Sequence, residues 1–545
     1  MSGCVQIQRL EVNLVKSIRE VFERAVKNNP EQPFLWWEGK DTSYIEMYRE
    51  VAKVANGFQD LGIQKGDRVA LMLPNIPEFL YIWLGLNSIG ASIVPINTFF
   101  KGEETAYVIN HSDSKLVVTC KEYYSLIKAI LPRCPKIQEL VVVRKEGESK
   151  IGIDFQNLVR KQSDKLPPVD LDENDEAAIL YTSGTTGHPK GCVQLHSYYL
   201  VAGFRYSQNM MLTEQDCVIT PLPLFHMNPQ ILSTMGTLWV GARLALVDRF
   251  HPKSWWDSVR RSGATKFHYL GVMPAMLMGQ KVTEHDADHS HWIGMGGGVP
   301  SKLHSEFEKR FNVTLLEGFG MTECGLVICT NVDLDRKIGS GCIGTVFPEY
   351  EAMVVDDYDQ EVKTGEIGEL VLRNSDSLNR RRGFMKEYYK NPEATEEVWK
   401  TGWFHTGDYV RTDDEGYVFF IDRKKDIIRR SGENISASEV EDSIRTHPNV
   451  LDVAVVAVPD NIREQEVKAY VIRHETVAIE VEDLIAWCEE RLAYFKIPRY
   501  WEFISELPVT NTGKIQKQKL REGAIDLRTN SYDRVEKVFH SKIQI

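Results

Sequence analysis

Residues 181–191 form a stretch whose side chains could bind a phosphate. The stretch reads YTSGTTGHPKG and directly follows the apolar residues 177–180. Small residues leave backbone N–H groups free, and neighbouring hydroxyls can converge with them on phosphate oxygens. The pattern therefore predicts a phosphate-binding loop in which Lys190 supplies positive charge.

This loop departs from the most familiar phosphate-binding motif, which places Gly before its lysine and Ser or Thr after it. Here Pro189 precedes Lys190 and Gly191 follows it. A flexible connector is the competing interpretation, because Ser, Thr and Gly are common between structural elements. The loop alone leaves both interpretations open.

The composition is typical of a globular protein and argues against a nucleic-acid partner. The chain has 545 residues, of which 43% are hydrophobic and 26% are charged, and its net charge is −12. At about 150 residues per domain, this length allows roughly two to four domains. Nucleic-acid binding requires a basic surface, which a negative net charge disfavours.

The cysteines and the apolar segments predict a cytoplasmic protein without a membrane span. Nine cysteines occur without any Cys-x-x-Cys spacing, which argues against disulfides and a structural zinc site. The first twenty residues carry charges where a signal peptide is apolar. Residues 79–98 lack charges, but Gly85, Gly90 and Pro95 interrupt them, so we expect a buried helix, a turn and a strand there.

Short β-branched runs alternate with helical patterns over the first part of the chain. Residues 44–61, for example, have apolar positions at helical spacing. Runs typical of strands occur at residues 68–73, 92–96, 115–120, 139–143 and 177–183. This rhythm predicts an α/β fold of β-α-β layers with a mostly parallel sheet.

The pattern changes near residue 420, where a hairpin and a basic connector lead into a compact α+β region. Its predicted elements are a helix at 438–446, strands at 450–458 and 467–472, and a helix at 481–492. We therefore predict a large domain over residues 1–422 and a small domain over 426–545, joined by residues 423–425.

Seven short motifs follow one another in a fixed order. They are the loop at 181–191, PLFHMNPQ at 223–230, GGGVP at 296–300, GFGMTE at 318–323, TGD at 406–408, RKKDIIRRSGENIS at 423–436 and PVTNTGKIQK at 508–517. This series resembles the adenylate-forming superfamily, which includes acyl-CoA synthetases, peptide-synthetase adenylation domains and luciferases. The resemblance extends from about residue 15 to about residue 520.

The resemblance implies a reaction in two steps. A carboxylate attacks ATP to give an acyl-adenylate and pyrophosphate, and the thiol of CoA then gives the thioester and AMP. Because two anions react, such a site needs positive charge and N–H donors that act in the transition state. ATP, Mg²⁺ and CoA are the implied cofactors, and a small carboxylic acid is the implied substrate.

By the same resemblance, one group of residues binds the phosphates and the metal. Glu323 matches a magnesium-binding glutamate, with Thr185 as a second metal residue, and Thr322 matches a hydroxyl beside the α-phosphate. The residues that match the triphosphate loop are Thr182, Ser183, Gly184, Thr185, Thr186 and Lys190.

Three further residues match contacts to the nucleoside. Phe319 takes the place of a tyrosine that stacks on adenine, so stacking survives without the phenol hydroxyl. Asp408 matches the aspartate that accepts both ribose hydroxyls, and Arg423 matches a second ribose contact. Taken alone, a buried Phe and a Thr-Gly-Asp turn need no such explanation.

The resemblance also implies where the acid binds. His226 matches an aromatic gate between the carboxylate and the thiol and is not expected to be a general base. A lone histidine after an apolar run is more often structural. The residues expected to line the acyl pocket are Asn228, Gly296, Gly297, Gly298 and Gly320.

Three positions of the small domain complete the implied site. Lys514 matches the catalytic lysine that bridges the carboxylate and the α-phosphate. Lys425 falls on the hinge about which the mobile small domain swings between the two half-reactions. Gly432 matches a glycine of the pantetheine channel, although a turn also explains a glycine there.

Segments 225–230, 384–389 and 422–434 look most like betaine/carnitine-type and related short- or medium-chain CoA ligases. Asn228 and Gln230 favour an acid with a polar or quaternary-ammonium group over a long fatty acid. The alternatives are an enzyme that loads a separate carrier protein, a luciferase-type oxidation and a non-catalytic nucleotide-binding regulator. Both a monomer and a homodimer stay open.

Overall fold

The structure is a computed structural model. The residues that it describes are 15–145, 152–182, 189–289, 293–430, 433–460, 463–474, 479–509, 515–522 and 526–540. The α-helices are α1 (Ile18–Asn28), α2 (Tyr44–Asp60), α3 (Pro77–Ser88), α4 (Gly102–His111), α5 (Lys121–Ile130), α6 (Phe155–Val159), α7 (His196–Asn209), α8 (Met235–Val240), α9 (Trp255–Ser262), α10 (Val272–Met278), α11 (Ser301–Phe311), α12 (Pro392–Val398), α13 (Ala437–Arg445), α14 (Val481–Glu489) and α15 (Lys517–Glu522). A π-helix covers Pro229–Thr234, and 3₁₀ turns cover Leu131–Arg133, Lys400–Gly402 and Lys424–Asp426.

The strands alternate with these helices in the first part of the chain and then become more frequent. They are β1 (Pro33–Trp37), β2 (Lys40–Ser43), β3 (Arg68–Met72), β4 (Ser92–Pro95), β5 (Leu116–Cys120), β6 (Glu139–Val143), β7 (Ile153–Asp154), β8 (Glu176–Thr182), β9 (Lys190–Leu195), β10 (Cys217–Thr220), β11 (Arg243–Leu246), β12 (Lys266–His268), β13 (Ile293–Gly296), β14 (Thr314–Met321), β15 (Gly325–Cys329), β16 (Cys342–Val346), β17 (Tyr350–Val355), β18 (Gly368–Asn374), β19 (Glu387–Tyr388), β20 (Phe404–Thr412), β21 (Val418–Arg423), β22 (Ile427–Arg430), β23 (Glu433–Ser436), β24 (Val450–Asp460), β25 (Glu464–Arg473), β26 (Tyr500–Phe503), β27 (Ser531–Asp533) and β28 (Val538–His540).

The chain divides into two compact units. The first comprises residues 1–351 and 372–404, and the second comprises residues 352–371 and 405–545. The predicted α/β fold with a larger first part and a smaller second part is confirmed. The predicted border near residue 422 lies inside the second unit, so the division into 1–422, a hinge at 423–425 and 426–545 stays a prediction.

One sheet of the first unit has the strand order β19-β9-β8-β4-β3-β5-β6-β7. The pairs β3–β4, β3–β5, β5–β6 and β4–β8 are parallel, as expected where helices connect successive strands. In contrast, β8 and β9 pair in antiparallel fashion, and β19 joins β9 in the same way. The loop of the 181–191 motif therefore connects two adjacent antiparallel strands.

A second set of strands in the first unit runs in the order β16-β15-β14-β13-β12-β10-β11-β1-β2. Its central pairs β10–β11, β10–β12, β12–β13 and β13–β14 are parallel. The core on one face is aromatic and includes Trp255, Phe267, Tyr269, Phe307 and Phe311, all buried. The strand ends that carry the GGGVP and GFGMTE motifs are held by this rigid core.

Local signals in the sequence explain where helices begin. Ser43 and Glu46 form a reciprocal capping box that starts α2. Pro77 occupies the first turn of α3, where its missing N–H costs nothing. Trp83 of α3 donates to Asn87 at 2.8 Å, so polar residues of this uncharged segment are satisfied inside the core. The predicted buried helix, turn and strand at 79–98 are confirmed as α3 and β4.

The second unit contains two groups of strands. Strands β17-β18-β20-β21 form one run. The other has the order β23-β22-β25-β26-β27-β28, with β24 paired to β25, and α13 and α14 cover an aliphatic core that includes Ile428, Val453 and Val467. The α+β elements predicted after residue 420 are confirmed, and each has its predicted type.

Within the described residues, no helix combines the length and the apolar character needed to cross a bilayer. The eight cysteines in these ranges are all free and buried. Buried thiols of this kind behave as small apolar side chains.

Candidate functional site

Two strand pairings bring two predicted site residues and Tyr388 to one edge of the first sheet. Thr182 at the end of β8 is paired with Lys190 at the start of β9. Further along β9, Cys192 is paired with Tyr388 of β19. Because alternate residues of a strand point to the same face, Lys190 and Cys192 share one face of β9. The register thus gathers Thr182, Lys190 and Tyr388 on neighbouring strands.

Tyr388 contacts two predicted site residues at once. Its hydroxyl donates to Oε1 of Glu323 at 2.8 Å, and Nζ of Lys190 lies 5.0 Å from the centroid of its ring. Burial, together with the Glu323 carboxylate, raises the pKa of Tyr388. The phenol therefore stays protonated and acts as a donor at neutral pH.

The Thr322–Glu323 turn is held through its backbone. Gln194 of β9 donates to the carbonyl oxygen of Thr322 at 2.6 Å, and the N–H of Met385 donates to the carbonyl oxygen of Glu323 at 2.7 Å. Burial, with Glu323 as a further cause, raises the pKa of the Cys192 thiol beside this turn. A neutral thiol here adds no charge to the site.

The donor set fits a magnesium ion. Glu323 presents a hard carboxylate that is only 7% exposed and accepts from Tyr388, whose ring also lies near the ammonium of Lys190. Mg²⁺ prefers oxygen ligands and is commonly bound by one or two carboxylates together with substrate phosphates.

Phe319 and Gly320 lie on β14, which carries the first four residues of the GFGMTE motif. Phe319 is paired with Ile328 of β15, and a register irregularity follows it before Gly320 pairs with Leu326. The Phe319 side chain is 8% exposed. Its ring is therefore fixed at the end of a strand and not in a free loop.

The predicted acyl-pocket residue Asn228 belongs to a small polar cluster that also contains His268 and Ser233. Nδ1 of His268 lies 2.9 Å from Oδ1 of Asn228 and 3.1 Å from Oγ of Ser233. Burial lowers the pKa of His268 to about 3, so the ring is neutral. The cluster offers hydrogen bonds and no positive charge.

Gln230 does not contribute a polar group to that cluster. Its side chain is fully buried, accepts from the hydroxyl of Tyr199 at 2.6 Å and donates to the carbonyl oxygen of Leu224 at 2.6 Å. Both ends of the amide are engaged within the protein, and the expectation that Gln230 lies beside the acid stays a prediction.

His226 directly follows Phe225, and their ring centroids are 4.5 Å apart. Burial lowers the pKa of His226 to about 4. A base of that pKa is poorly matched to neutral pH, which favours the predicted gate over general-base catalysis.

The glycines of the GGGVP motif have backbone reasons to be glycine. A Cβ on Gly296 would lie 2.2 Å from the carbonyl oxygen of Tyr269, and Gly298 has φ of +81°. The carboxylate of Glu317 accepts from the N–H groups of Gly298 at 2.9 Å and Val299 at 3.2 Å. Gly297 lies between these two fixed points, and whether the three glycines line the pocket stays a prediction.

In the second unit, Asp408 of β20 and Arg423 of β21 are paired directly across the hairpin. Nε of Arg423 lies 2.7 Å from Oδ1 of Asp408. Next to them, Lys424 donates to Oε2 of Glu369 at 2.8 Å and the N–H of Gly407 donates to Oε1 at 3.1 Å. Burial raises the pKa of Glu369, but contacts with His405 and Lys424 outweigh this effect and lower it to about 2.

Several predicted residues lie outside the described ranges. They are Ser183, Gly184, Thr185, Thr186, Gly432 and Lys514. The backbone of Lys425 lies in the 3₁₀ turn Lys424–Asp426. These assignments stay predictions.

A separate group of potential metal ligands occurs at the end of the chain. Ligand atoms of Asp533, Glu536 and His540 lie within 4.8 Å of one another. However, Nε of Arg499 lies 3.0 Å from the carboxylate of the buried Asp533. An arginine already balances this carboxylate, which identifies the group as part of an ion-pair network.

Sequence reasoning missed Tyr388, His268 and Glu369. Each is brought to the site by pairing between segments far apart in the chain. The motif series offered one signal for Tyr388, since the segment 384–389 was already similar to CoA ligases. Nothing in that segment distinguishes Tyr388 from the adjacent Tyr389.

Family comparisons agree with this arrangement. The family model "AMP-binding enzyme" matches residues 22–389, and the model "AMP-binding enzyme C-terminal domain" matches residues 439–514. The chain belongs to the AMP-binding enzyme family. The predicted resemblance to adenylate-forming enzymes is therefore confirmed.

Curated relatives of this family member include CoA ligases. The crotonobetaine/carnitine–CoA ligase of Salmonella typhimurium is 34% identical over 485 residues, which cover 88% of this chain and 93% of the relative. The enzyme of the same name from Escherichia coli is 34% identical over 486 residues, with the same coverage of 88% and 93%.

Solved structures give the same picture. ATP-bound MatB from Rhodopseudomonas palustris has a TM-score of 0.84 and 26% identity, covering 94% of this chain and 99% of its own. The anthranilate CoA ligase AuaEII in complex with anthranoyl-AMP has a TM-score of 0.83 and 26% identity, covering 93% and 97%. The AMP-binding enzyme described here is an AMP-forming acid–thiol ligase, with ATP, Mg²⁺ and CoA as cofactors.

Proposed function

We propose that the enzyme converts a carboxylic acid, ATP and CoA into acyl-CoA, AMP and pyrophosphate through an acyl-adenylate. The observation that carries this proposal concerns Tyr388. Its hydroxyl donates to Glu323, and its ring face lies against the ammonium of Lys190. The substrate carboxylate and ATP are both anions. Their reaction therefore requires a cation that binds the triphosphate and a carboxylate that binds a metal ion.

Lys190 and Thr182 are assigned to the β- and γ-phosphates, together with Ser183, Gly184, Thr185 and Thr186. Glu323 would hold Mg²⁺, with Thr185 as a second contact, and the ion would neutralise phosphate charge when bound. Thr322 is assigned to the α-phosphate. Its carbonyl is fixed by Gln194, which keeps the hydroxyl-bearing residue at a constant position beside β9.

Two residues are assigned to the nucleoside. Phe319 offers a ring face for adenine, and Asp408 accepts hydrogen bonds from the ribose hydroxyls. Arg423 supports this role because it balances the charge of the buried Asp408 carboxylate.

The substrate is proposed to be a short or medium acid that carries a polar or quaternary-ammonium group. Asn228 and the neutral His268 provide hydrogen-bonding groups without a positive charge that would repel a cation. The relatives named as crotonobetaine/carnitine–CoA ligases support the same substrate class.

The C-terminal part of the chain is assigned a role in each half-reaction. Lys514 would bridge the carboxylate and the α-phosphate in the first step. Rotation about Lys425 would then bring the region of Gly432 to the thiol of CoA, while His226 gates the path between thiol and adenylate.

A cytoplasmic location is proposed as well. The eight described cysteines are all free, which is typical of proteins kept in a reducing compartment.

An assay of nucleotide products with a panel of acids tests the proposal. AMP and pyrophosphate should appear in equal amounts, and consumption of CoA should match them. ADP and phosphate as products would refute the mechanism, and turnover that requires a carrier protein in place of CoA would refute the acceptor. Palmitate exceeding every short or polar acid in kcat/KM would refute the substrate class.

A further inference from the structure

We propose that Tyr388 is a positioning residue that holds Lys190 and Glu323 in a fixed arrangement for Mg²⁺ and ATP. This inference rests on the proposed function, where those two residues bind the triphosphate and the metal. The Tyr388 hydroxyl donates to Oε1 of Glu323 at 2.8 Å, while its ring face lies 5.0 Å from Nζ of Lys190. One side chain therefore touches both charged groups.

Tyr388 itself is held rigidly. Its N–H donates to Oγ1 of Thr395 at 2.9 Å, and its strand pairs with β9 through Cys192. On either side, the N–H of Lys386 donates to Val193 at 2.8 Å and the N–H of Tyr389 donates to Gly191 at 2.7 Å. The side chain is 7% exposed, so the ring has little room to move.

The hydroxyl of Tyr388 orients Glu323, whereas its ring positions Lys190. A glutamate has rotatable bonds, and a hydrogen bond from a rigid donor fixes which oxygen faces the metal. Partners of this kind behind a metal ligand typically affect metal affinity about 10-fold to 100-fold. The hydroxyl should therefore matter only when Mg²⁺ is present.

The ring acts on the lysine through its π face. A cation over an aromatic face is attracted without giving up its N–H donors to a carboxylate. Lys190 can thus be positioned while its ammonium group keeps hydrogen bonds for phosphate oxygens. A direct ion pair with Glu323 would instead weaken both groups as ligands, since each would neutralise the other.

The adjacent Tyr389 provides a matched control. Its hydroxyl donates to Oδ2 of Asp113 at 2.6 Å and accepts from Arg68 at 2.8 Å. These contacts join Tyr389 to the start of β3 and to the segment before β5, and they involve neither Lys190 nor Glu323. Replacing Tyr389 by Phe therefore removes an equivalent hydroxyl from the residue directly after β19.

The test measures the dissociation constant of a non-hydrolysable ATP analogue by calorimetry, once with Mg²⁺ and once with EDTA. Tyr388→Phe should weaken binding about 10-fold to 100-fold with Mg²⁺ and leave binding in EDTA unchanged. Tyr388→Leu should add a further loss of about twofold to fivefold under both conditions, because the cation–π contact is also removed. Tyr389→Phe should change neither value.

The inference would be overturned if Tyr388→Phe lost the same affinity for the ATP analogue with Mg²⁺ as with EDTA. It would also be overturned if the variant bound the analogue like the wild type under both conditions. The same would hold if Tyr389→Phe reproduced the loss. Tyr388→Phe keeps the ring and its packing, so the test does not depend on the Leu variant. The thermal unfolding midpoint of Tyr388→Phe is compared with that of the wild type to check that the variant folds. A wild type whose binding does not respond to Mg²⁺ would overturn the proposed function itself, and the inference with it.

Discussion

Arg423 and Asp408 face each other across the β20–β21 hairpin, with Nε of the arginine 2.7 Å from Oδ1 of the aspartate. The Asp408 side chain is fully buried, whereas that of Arg423 is 38% exposed. A buried carboxylate is costly unless a cation balances it. The two residues predicted to contact ribose therefore form an ion pair, in which Arg423 balances the charge of Asp408 and orients its carboxylate.

The first prediction follows from this pair. Asp408→Asn should weaken AMP binding about 10-fold to 150-fold, because hydrogen bonds to a charged acceptor contribute about 1.5–3 kcal/mol. Pyrophosphate binding should be unchanged, since that ligand has no ribose. Calorimetry with each ligand decides the matter, and an equal loss for both would show that the substitution disturbs the fold and not a ribose contact.

Much of this hairpin could be predicted from the sequence, and the reason is local. Asp408 and Arg423 each belong to a contiguous motif, and a short turn between two apolar runs predicts a hairpin. The same holds for the β8–β9 hairpin, whose turn carries the glycines and hydroxyls of the 181–191 motif. The local structure of such a motif can be predicted from its own residues, whereas its chemistry was indicated only by the ordered series of seven motifs.

The contacts that position these motifs could not be predicted in this way. Tyr388 reaches Glu323 from 65 residues away, and His268 reaches Asn228 from 40 residues away. Such pairs depend on strand order and register, which a single sequence does not specify. The partners of the buried Gln230 amide, Tyr199 and the carbonyl oxygen of Leu224, could not be predicted from the sequence either.

A second prediction concerns the acid. Asn228→Ala should lower kcat/KM about twofold to tenfold for four-carbon acids with a hydroxyl or quaternary-ammonium group, because it removes an amide that can hydrogen-bond to the hydroxyl and whose dipole can attract the ammonium charge. Butyrate provides the control, since it has no polar substituent to lose a partner. A uniform drop for all three acids would place Asn228 outside the acid site.

A third prediction concerns stability in acid. Nδ1 of the buried His196 accepts from the N–H of Ile18 at 3.2 Å, and burial lowers the pKa of His196 to about 4. His196 binds a proton near pH 6.5 in the unfolded chain but only near pH 4 in the folded chain. Its contribution to the free energy of unfolding is therefore present above pH 6.5 and is lost as the pH falls from 6.5 towards 4.

His196→Asn keeps a side-chain acceptor for the N–H of Ile18, but an asparagine side chain does not bind a proton in this pH range. Between pH 7.5 and pH 5, the free energy of unfolding of the wild type should fall about 2 kcal/mol more than that of His196→Asn. Urea denaturation at the two pH values measures the difference. Parallel pH dependence in both proteins would mean that His196 does not carry this linkage.

A fourth prediction separates the two half-reactions. Lys514→Ala should slow acyl-AMP formation about 10²-fold to 10³-fold, because a charge that acts in the transition state is lost. Thioester formation from supplied acyl-AMP should stay near the wild-type rate. Lys519→Ala is the matched control, since Lys519 is an exposed lysine of α15. Single-turnover assays that found both half-reactions equally slowed would contradict a role confined to adenylation.

The last prediction concerns Lys425, whose backbone lies in the 3₁₀ turn Lys424–Asp426. Lys424 on one side of it donates to Glu369, and Asp426 on the other side pairs with Arg521 of α15. The residues on both sides of Lys425 are therefore anchored by their side chains, and residue 425 between them stays the predicted position of the backbone rotation. Lys425→Pro fixes φ and should slow thioester formation while adenylation continues. Lys425→Ala removes the same charge but keeps φ free, so it should run both half-reactions at near wild-type rates. If the Ala variant lost thioester formation to the same extent as the Pro variant, the charge of Lys425 would matter and rotation about it would not be the explanation.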